Sequence, residues 1–173
     1  MFLQSCKNKE ESESFPEINL ISLDLSEAGI AATMKVPEGV VVKAMKFNVV
    51  VGDSAYFEFK ESKDIIAAAK IRPCFGIEIN KDDMYSISDR RRGIESNTVN
   101  KLVEIINESK NFIFYQTKAL GKAAYHFAFF TKIGKNGYSI EDSKGQQYSR
   151  GQIEVMIRAA KSIDPQIKRK RPN

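Results

Sequence analysis

Apolar and polar residues alternate along much of the chain with the period of two that is typical of β-strands. In the first third, residues 30–36 alternate up to the turn Pro37-Glu38-Gly39, and a second strand is predicted over residues 40–51, where Gly52-Asp53 ends it. Residues 55–60 alternate in the same way and predict a third strand. The first third is therefore predicted to be β-structure.

The strand pattern returns in the second half of the chain. Residues 102–106 and 112–117, separated by the polar residues 107–111, predict a hairpin with a five-residue loop. Residues 125–133 predict a long strand, and residues 134–137, which include Asn136-Gly137, predict the turn into a last strand over residues 138–141.

A helix is predicted near the C-terminus. Ser149 and Gln152 have the spacing of a capping box, and Asp164-Pro165 ends the segment. The apolar residues fall at helical intervals and are Ile153, Met156, Ile157, Ala160 and Ile163. Two more segments have helical character, residues 63–70 by composition and residues 82–99 by the lack of alternation.

Seven or eight strands, helical segments in the middle and a closing amphipathic helix predict an α+β domain built on an antiparallel sheet. The order of elements resembles the PsbP-like and DcrB-like α/β/α sandwich domains, which include many bacterial lipoproteins. The resemblance is carried by the turn at residues 34–39, the paired strands over 102–141 and the helix over 150–163. It implies a non-enzymatic envelope domain, and the family has no shared catalytic residues to transfer.

The length of the chain between its polar ends is usual for one domain. Hydrophobic residues make up 42% and charged residues 28% of the chain, which are usual values for a globular protein. We predict a single α+β domain over residues 16–165, a lipobox remnant and polar tether over residues 1–15 and a disordered basic tail over residues 166–173. No apolar run approaches the roughly 20 residues that a membrane-spanning helix needs.

The formal net charge of +5 is concentrated in the tail, because residues 168–171 are all Lys or Arg and the remainder carries +1. A nucleic-acid-binding domain would need basic residues clustered on its own surface, so no nucleic-acid partner is expected. A disordered tail without a specific role is the simplest interpretation, and attraction to anionic lipid headgroups is the alternative. Such basic tails can also resemble a nuclear localisation signal.

Cys6 gives the clearest indication of location. Leu3-Gln4-Ser5-Cys6 resembles a lipobox, in which the cysteine is lipidated and becomes the first residue of the mature protein, and residues 7–14 resemble the acidic tether of lipoproteins in Bacteroidota-like bacteria. A secretory signal needs an apolar region of about 7–15 residues, so this interpretation requires a start upstream of Met1 or a truncated sequence. The alternative is a frayed N-terminus with an incidental cysteine.

Residues suited to catalysis are few. His126 is the single histidine, and a structural role is favoured because no nucleophile or orienting group can be named for it. Cys74, between Pro73 and Phe75, fits a small buried residue better than a nucleophile.

No cofactor or metal is predicted. Gly121-Lys122 lacks the flanking residues of a phosphate-binding loop. Asp82-Asp83 and Glu141-Asp142 lack the spacing of a calcium loop and are interpreted as solvated turns.

The consecutive arginines Arg90, Arg91 and Arg92 are the remaining candidate contact. Guanidinium groups bind carboxylates and phosphates in a bidentate manner, so this run is a candidate contact for an anion or for an acidic protein partner. An exposed helix face without a specific role is the simpler interpretation of such a run.

Two functions from different classes follow. The first is a lipoprotein of the bacterial cell envelope, held at the outer membrane or the periplasmic face by lipidated Cys6, whose domain binds an envelope protein or a small ligand without chemistry. The alternative is a soluble cytoplasmic interaction protein with a basic C-terminal tail. An enzyme is disfavoured because no triad, metal cluster or phosphate loop is evident in the sequence.

Overall fold

A computed structural model of the chain describes residues 18–53, 75–144 and 147–166. Over these residues the fold is α+β, which confirms the predicted class, and one antiparallel sheet has seven strands; a second antiparallel sheet, of three strands, was not predicted. The lipobox, Cys74, the predicted strand over residues 55–60, the predicted helix over residues 63–70 and the basic tail after Gln166 lie outside the described residues.

The larger sheet has seven strands in the order β3-β4-β5-β9-β8-β7-β6, and every neighbouring pair is antiparallel. Its strands are β3 (Val40–Ala44), β4 (Val49–Asp53), β5 (Gly76–Lys81), β6 (Lys101–Ser109), β7 (Phe112–Ala119), β8 (Lys122–Ile133) and β9 (Asn136–Asp142).

The smaller sheet has three strands in the order β1-β2-β10, with β1 at Leu20–Asp24, β2 at Ala32–Pro37 and β10 at Asp164–Pro165. Ala32, Met34 and Val36 are fully buried, so the alternation predicted for this segment is confirmed.

Both helices that fall within the described residues agree with the prediction. Helix α1 spans Ile87–Glu95, and its N-cap Ser86 accepts a hydrogen bond from the backbone N–H of Asp89. Helix α2 spans Arg150–Lys161 and begins with the complete capping box of Ser149 and Gln152.

The two helices lie on opposite faces of the larger sheet. Because side chains alternate along a strand, Phe112 and Phe114 of β7 join the main core with α2 and β2, whereas Ile113 and Tyr115 join a smaller cluster with Ile87 and other residues of α1. The α1 face therefore has less apolar cover, and the polar residues described below lie on it.

The predicted single strand over residues 40–51 is two strands. Chain reversal occurs at residues 45–48, where the Met45 backbone N–H donates to the Asn48 carbonyl. Phe47, which continues the alternation in sequence, is 85% exposed at this turn. The prediction was wrong because apolar residues at a tight turn can share the period of the flanking strands.

Two predicted turns are shorter than the sequence indicated. Strand β6 extends to Ser109, so only residues 110–111 join it to β7. The polar residues 107–109 are accommodated in β6 because it is an edge strand whose side chains are largely exposed. Strands β8 and β9 are joined by Gly134 and Lys135, with Ile133 opposite Asn136. Gly134 supplies the positive φ, so the Asn136-Gly137 pair is not the turn.

Candidate functional site

A cavity of about 430 Å³ lies between α1 and the exposed end of the sheet face beneath it. Helix α1 contributes Arg90 and Ile94, and the strands contribute Tyr115, Thr117, His126 and Glu141. The register places Tyr115 directly opposite His126 and Ala128 opposite Glu141, so side chains from β7, β8 and β9 meet on one face.

Arg90 links the helix to the sheet through Glu141. One guanidinium nitrogen (Nη2) lies 2.9 Å from Glu141 Oε2 and 3.3 Å from the Tyr115 hydroxyl. The Tyr85 hydroxyl donates to the other oxygen of Glu141 at 2.8 Å. Both carboxylate oxygens therefore have donors, as a carboxylate only 14% exposed requires.

These contacts alter the ionisation of the three partners. Burial is the largest single effect and opposes the charge on Arg90, but Glu141, Asp142 and the two phenol groups together outweigh it, so the pKa of the guanidinium is raised. Burial, together with the negative charge of Glu141, raises the pKa of Tyr85 far above its ordinary value. Burial likewise raises the pKa of Tyr115, against the opposing effect of Arg90. Arg90 is therefore a fixed positive charge beside two neutral phenols.

A second group of polar side chains is centred on His126. Its Nδ1 lies 2.8 Å from Asp142 Oδ2, and its Nε2 lies 3.1 Å from the Thr117 hydroxyl. Because a carboxylate accepts hydrogen bonds, this network assigns the proton to Nδ1 and lets Nε2 accept from Thr117. The imidazole ring also packs against Tyr115, with 5.3 Å between ring centroids.

The position of Asp142 depends on the end of a strand pair. The pairing of β8 with β9 stops at Ala128 opposite Glu141. One residue further, the Asp142 carboxylate accepts the backbone N–H of Phe127 at 2.9 Å. The Asp142 side chain thus accepts the hydrogen bond that a backbone carbonyl of the neighbouring strand would otherwise accept. Its second oxygen is then close to His126 Nδ1.

The cavity lining carries more positive than negative charge. Arg90 Nε is buried and has no hydrogen-bond partner in the described part of the chain. Lys122 and Lys144 are exposed at the cavity wall, and neither ammonium forms an ion pair with a described residue. These three cations face two carboxylates, Glu141 and Asp142, that already have donors.

The chain of Asp142, His126 and Thr117 has the order carboxylate, imidazole, hydroxyl that activates a nucleophile in some enzymes. Thr117, however, lies within β7 and is only 4% exposed. Although Thr117 lines the cavity, a side chain of such low exposure offers little accessible surface to a substrate carbonyl. The arrangement is suited to hold the imidazole in place.

Of the predicted arginine run, only Arg90 lines the cavity. Arg91 forms ion pairs with Glu95 and Glu108, and Arg92 pairs with Asp89 on the helix surface. The three side chains therefore do not form one contact surface with the cavity. Cys6 lies outside the described residues.

The interpretation of Glu141-Asp142 as a solvated turn was wrong, because both residues belong to β9 and both carboxylates are engaged in the cavity. By contrast, Asp82-Asp83 does form a turn, in which Asp82 caps the Met84 N–H and Asp83 accepts from Gly137. Tyr85, Tyr115 and Thr117 were not identified from the sequence, where each appears as an ordinary strand or loop residue.

A second, wider groove lies between α2 and the β6–β7 edge. Two of its cations have partners at the surface, since Arg150 pairs with Glu154 and the Lys161 ammonium lies 4.0 Å from the centre of the Phe112 ring. Its polar groups are more exposed than those beneath α1.

Within the described ranges, no group of three or more His, Cys, Asp or Glu side chains is placed to hold a metal ion. No helix in the same ranges has the length and apolar character required to cross a bilayer.

No family model and no curated protein matches the chain. The solved structures that resemble it include the crystal structure of a protein from Bacteroides thetaiotaomicron VPI-5482, with 12% sequence identity and a TM-score of 0.36. The match covers 82% of this chain and 47% of that chain, so this chain spans about half the length of that protein. The function of the domain must therefore be inferred from its own cavity.

Proposed function

We propose that the domain binds a small anionic ligand, bearing a carboxylate or phosphate group, in the cavity beneath α1, and that it does so without chemistry. In this proposal the protein is an envelope lipoprotein held at the membrane by lipidated Cys6. The observation that carries the ligand class is the positive charge of the cavity lining, where the exposed ammoniums of Lys122 and Lys144 form no ion pair with a described residue.

The orientation of Arg90 also favours an anion. Because Glu141 holds one guanidinium nitrogen of Arg90 at 2.9 Å, the guanidinium is already oriented before a ligand arrives. Preorganisation of this kind favours affinity, since little side-chain freedom is lost on binding.

The size and charge of the cavity agree with this ligand class. A volume of about 430 Å³ falls among those of small-molecule sites, about 300–1,000 Å³. Lys122 and Lys144 add two positive charges at the wall, and charge-assisted hydrogen bonds to a carboxylate or phosphate are stronger than neutral ones.

Isothermal titration calorimetry with inorganic phosphate and with citrate tests the ligand class. We expect saturable binding that weakens at least tenfold in the variant Lys122→Gln/Lys144→Gln, because two charge-assisted contacts are lost. The matched control is Lys132→Gln/Lys135→Gln, which removes the same charge from exposed positions outside the cavity. Equal affinity in both double variants, or no binding at all, would contradict the proposal.

Absence of catalysis is tested separately with p-nitrophenyl acetate and p-nitrophenyl phosphate. We expect the wild type, His126→Ala and Thr117→Val to release nitrophenol at the rate of buffer. Turnover that disappears when His126 or Thr117 is changed would show that the Asp142–His126–Thr117 chain is catalytic.

Anchoring is tested by expression in a bacterial host from the gene with any codons upstream of Met1. We expect the protein to partition into detergent, with acyl mass on the N-terminal peptide at Cys6, and Cys6→Ser to release it into the aqueous phase. Wild-type protein that stays aqueous with unmodified Cys6 would contradict the lipoprotein assignment.

A further inference from the structure

We infer that the hairpin tip formed by residues 118–122 docks on an anionic lipid surface, with Leu120 inserted among the lipid headgroups. This inference does not depend on the cavity ligand or on Cys6. It rests on three features of the tip that are unfavourable in the isolated domain.

The first feature is the exposure of Leu120. Its side chain is 100% exposed, the largest value among the exposed large hydrophobic residues of the described chain. Val99, just before β6, is 74% exposed. Since Lys101 of β6 is opposite Lys118 of β7, Val99 and Leu120 lie at the same end of the sheet, two residues beyond that pair.

The second feature is the backbone of Leu120. Its φ is +48°, and it is the one non-glycine residue with positive φ among the described residues. With Gly121 at +82°, it forms the two-residue hairpin loop in which Asn-Gly is the favoured pair, because L-residues with larger side chains are strained there. Because Leu120 is apolar, strained and fully exposed, its side chain does not stabilise the isolated domain.

The third feature is the charge around Leu120. Lys101, Lys118 and Lys122 are all exposed, and Lys101 lies directly opposite Lys118. Like charges in opposite positions of a strand pair are destabilising. Residues 96–101 and 117–124 contain no Asp or Glu, and none of the three ammoniums forms an ion pair with a described residue.

An exposed apolar residue with unpaired lysines at the same end of the sheet is complementary to an anionic bilayer surface. Apolar side chains insert at the level of the headgroups, and nearby lysines bind the negative lipids. Ala119 and Lys122 also line the cavity, so docking through this tip would turn the cavity toward the membrane.

The turn at residues 45–48 supplies a matched control. It also carries an exposed apolar residue, Phe47, next to a lysine, Lys46. Val49, which follows this turn, is level with Ile79, Ile140 and Phe129 across the sheet. Lys122 is seven residues along β8 from Phe129, a distance of about 23 Å. The two turns therefore lie at opposite ends of the sheet.

Cosedimentation of the full chain with vesicles tests the inference. We expect the wild type to bind vesicles of equal parts phosphatidylglycerol and phosphatidylcholine and not vesicles of phosphatidylcholine alone. Leu120→Asn should weaken binding about tenfold, because the apolar contact is lost, without lowering the melting temperature, because Asn tolerates positive φ. Lys101→Gln and Lys118→Gln should each weaken binding about fivefold.

Phe47→Asn should bind as the wild type does. The basic run at residues 168–171 is present in every variant, so its own attraction to anionic lipid contributes equally to all of them. Unchanged binding by Leu120→Asn would overturn the inference. So would an equal loss in Phe47→Asn, which would place the membrane at the opposite end of the sheet.

Discussion

At the scale of single residues, three consecutive arginines have different environments. Arg90 points under α1 to Glu141 and Tyr115, Arg91 pairs with Glu95 and Glu108, and Arg92 pairs with Asp89. Residues one position apart on a helix point about 100° away from each other. Only one member of such a run can therefore point into a given cavity.

We expect Arg90→Gln to lower the free energy of unfolding by about 1–3 kcal/mol, because it leaves the Glu141 carboxylate without its cationic partner. Arg91→Gln and Arg92→Gln should leave the midpoint of urea denaturation unchanged, because exposed pairs contribute little. The double variant Arg90→Gln/Glu141→Gln should recover part of the loss. Equal midpoints for all three single variants would show that the Arg90–Glu141 pair has no structural role.

Tyr85 and Tyr115 give a pH dependence. The pKa of each is raised in the folded protein, chiefly by burial. Above about pH 10 the unfolded chain releases these protons first, so stability is complete below that pH and falls as the pH rises further. We expect the phenolate absorbance of both residues to appear only as the protein unfolds. Subtraction of the Tyr85→Phe/Tyr115→Phe titration isolates this signal, and ionisation of either tyrosine near pH 10 in folded protein would contradict the raised pKa of that residue.

The sequence indicates which residues carry charge but not which of them meet. Arg90 and His126 could be singled out because the arginine run and the lone histidine are visible in the sequence. Asp142 could not, because its role depends on the pairing of β8 and β9 ending at Glu141. Two adjacent acidic residues such as Glu141-Asp142 are typical of a surface turn. Only the sheet register shows that Glu141 faces the cavity and that Asp142 lies at the end of the strand pair.

At the scale of elements, the periodicity of apolar residues predicted buried positions where one face of a strand or helix packs on the core. Strand β2 matches its predicted apolar positions, because Met34 and Val36 are fully buried. In helix α2 the predicted Ile153, Met156 and Ala160 are fully buried, whereas Ile157 and Ile163 are only partly buried. Turn positions were less accurate. Phe47 and the polar residues 107–109 are all exposed. At an exposed position either an apolar or a polar side chain is tolerated, so its polarity does not distinguish a strand from a turn.

The packing of α2 refines an expectation about its apolar stripe. Ile153 is fully buried, whereas Ile157 is only partly buried at the edge of the core. We expect Ile153→Ala to cost about 3–4 kcal/mol of unfolding free energy and Ile157→Ala clearly less. Ser149→Ala should cost about 1 kcal/mol through loss of the cap. Chemical denaturation measures all three, and a larger loss for Ile157→Ala than for Ile153→Ala would contradict the orientation of the helix.

At the scale of the whole molecule, the two faces of the large sheet have different roles. One face packs on α2 and the small sheet in the main core, and the other carries α1, a smaller apolar cluster and the polar cavity. The antiparallel α+β class followed from the order of strands and helices in the sequence. The cavity did not, because it joins residues from Arg90 to Lys144 that become neighbours only when β7, β8 and β9 pair.

The cavity and the hairpin tip share one end of this sheet, since Ala119 and Lys122 belong to both. If the tip docks on lipid, a ligand would enter the cavity from the membrane side. The vesicle and calorimetry experiments address the two surfaces through different residues, Leu120 for the tip and Lys144 with Lys122 for the cavity. Failure of one proposal therefore leaves the other testable.

The most direct test of the cavity is a proton NMR titration of the imidazole, because His126 is the only histidine and lies in the cavity wall. At constant pH and ionic strength, we predict that inorganic phosphate shifts the two ring-proton signals along a saturable curve. The same curve should be displaced to at least tenfold higher phosphate in Lys122→Gln/Lys144→Gln. Ring signals that stay fixed throughout the wild-type titration, or that move equally in both proteins, would contradict an anion site beneath α1.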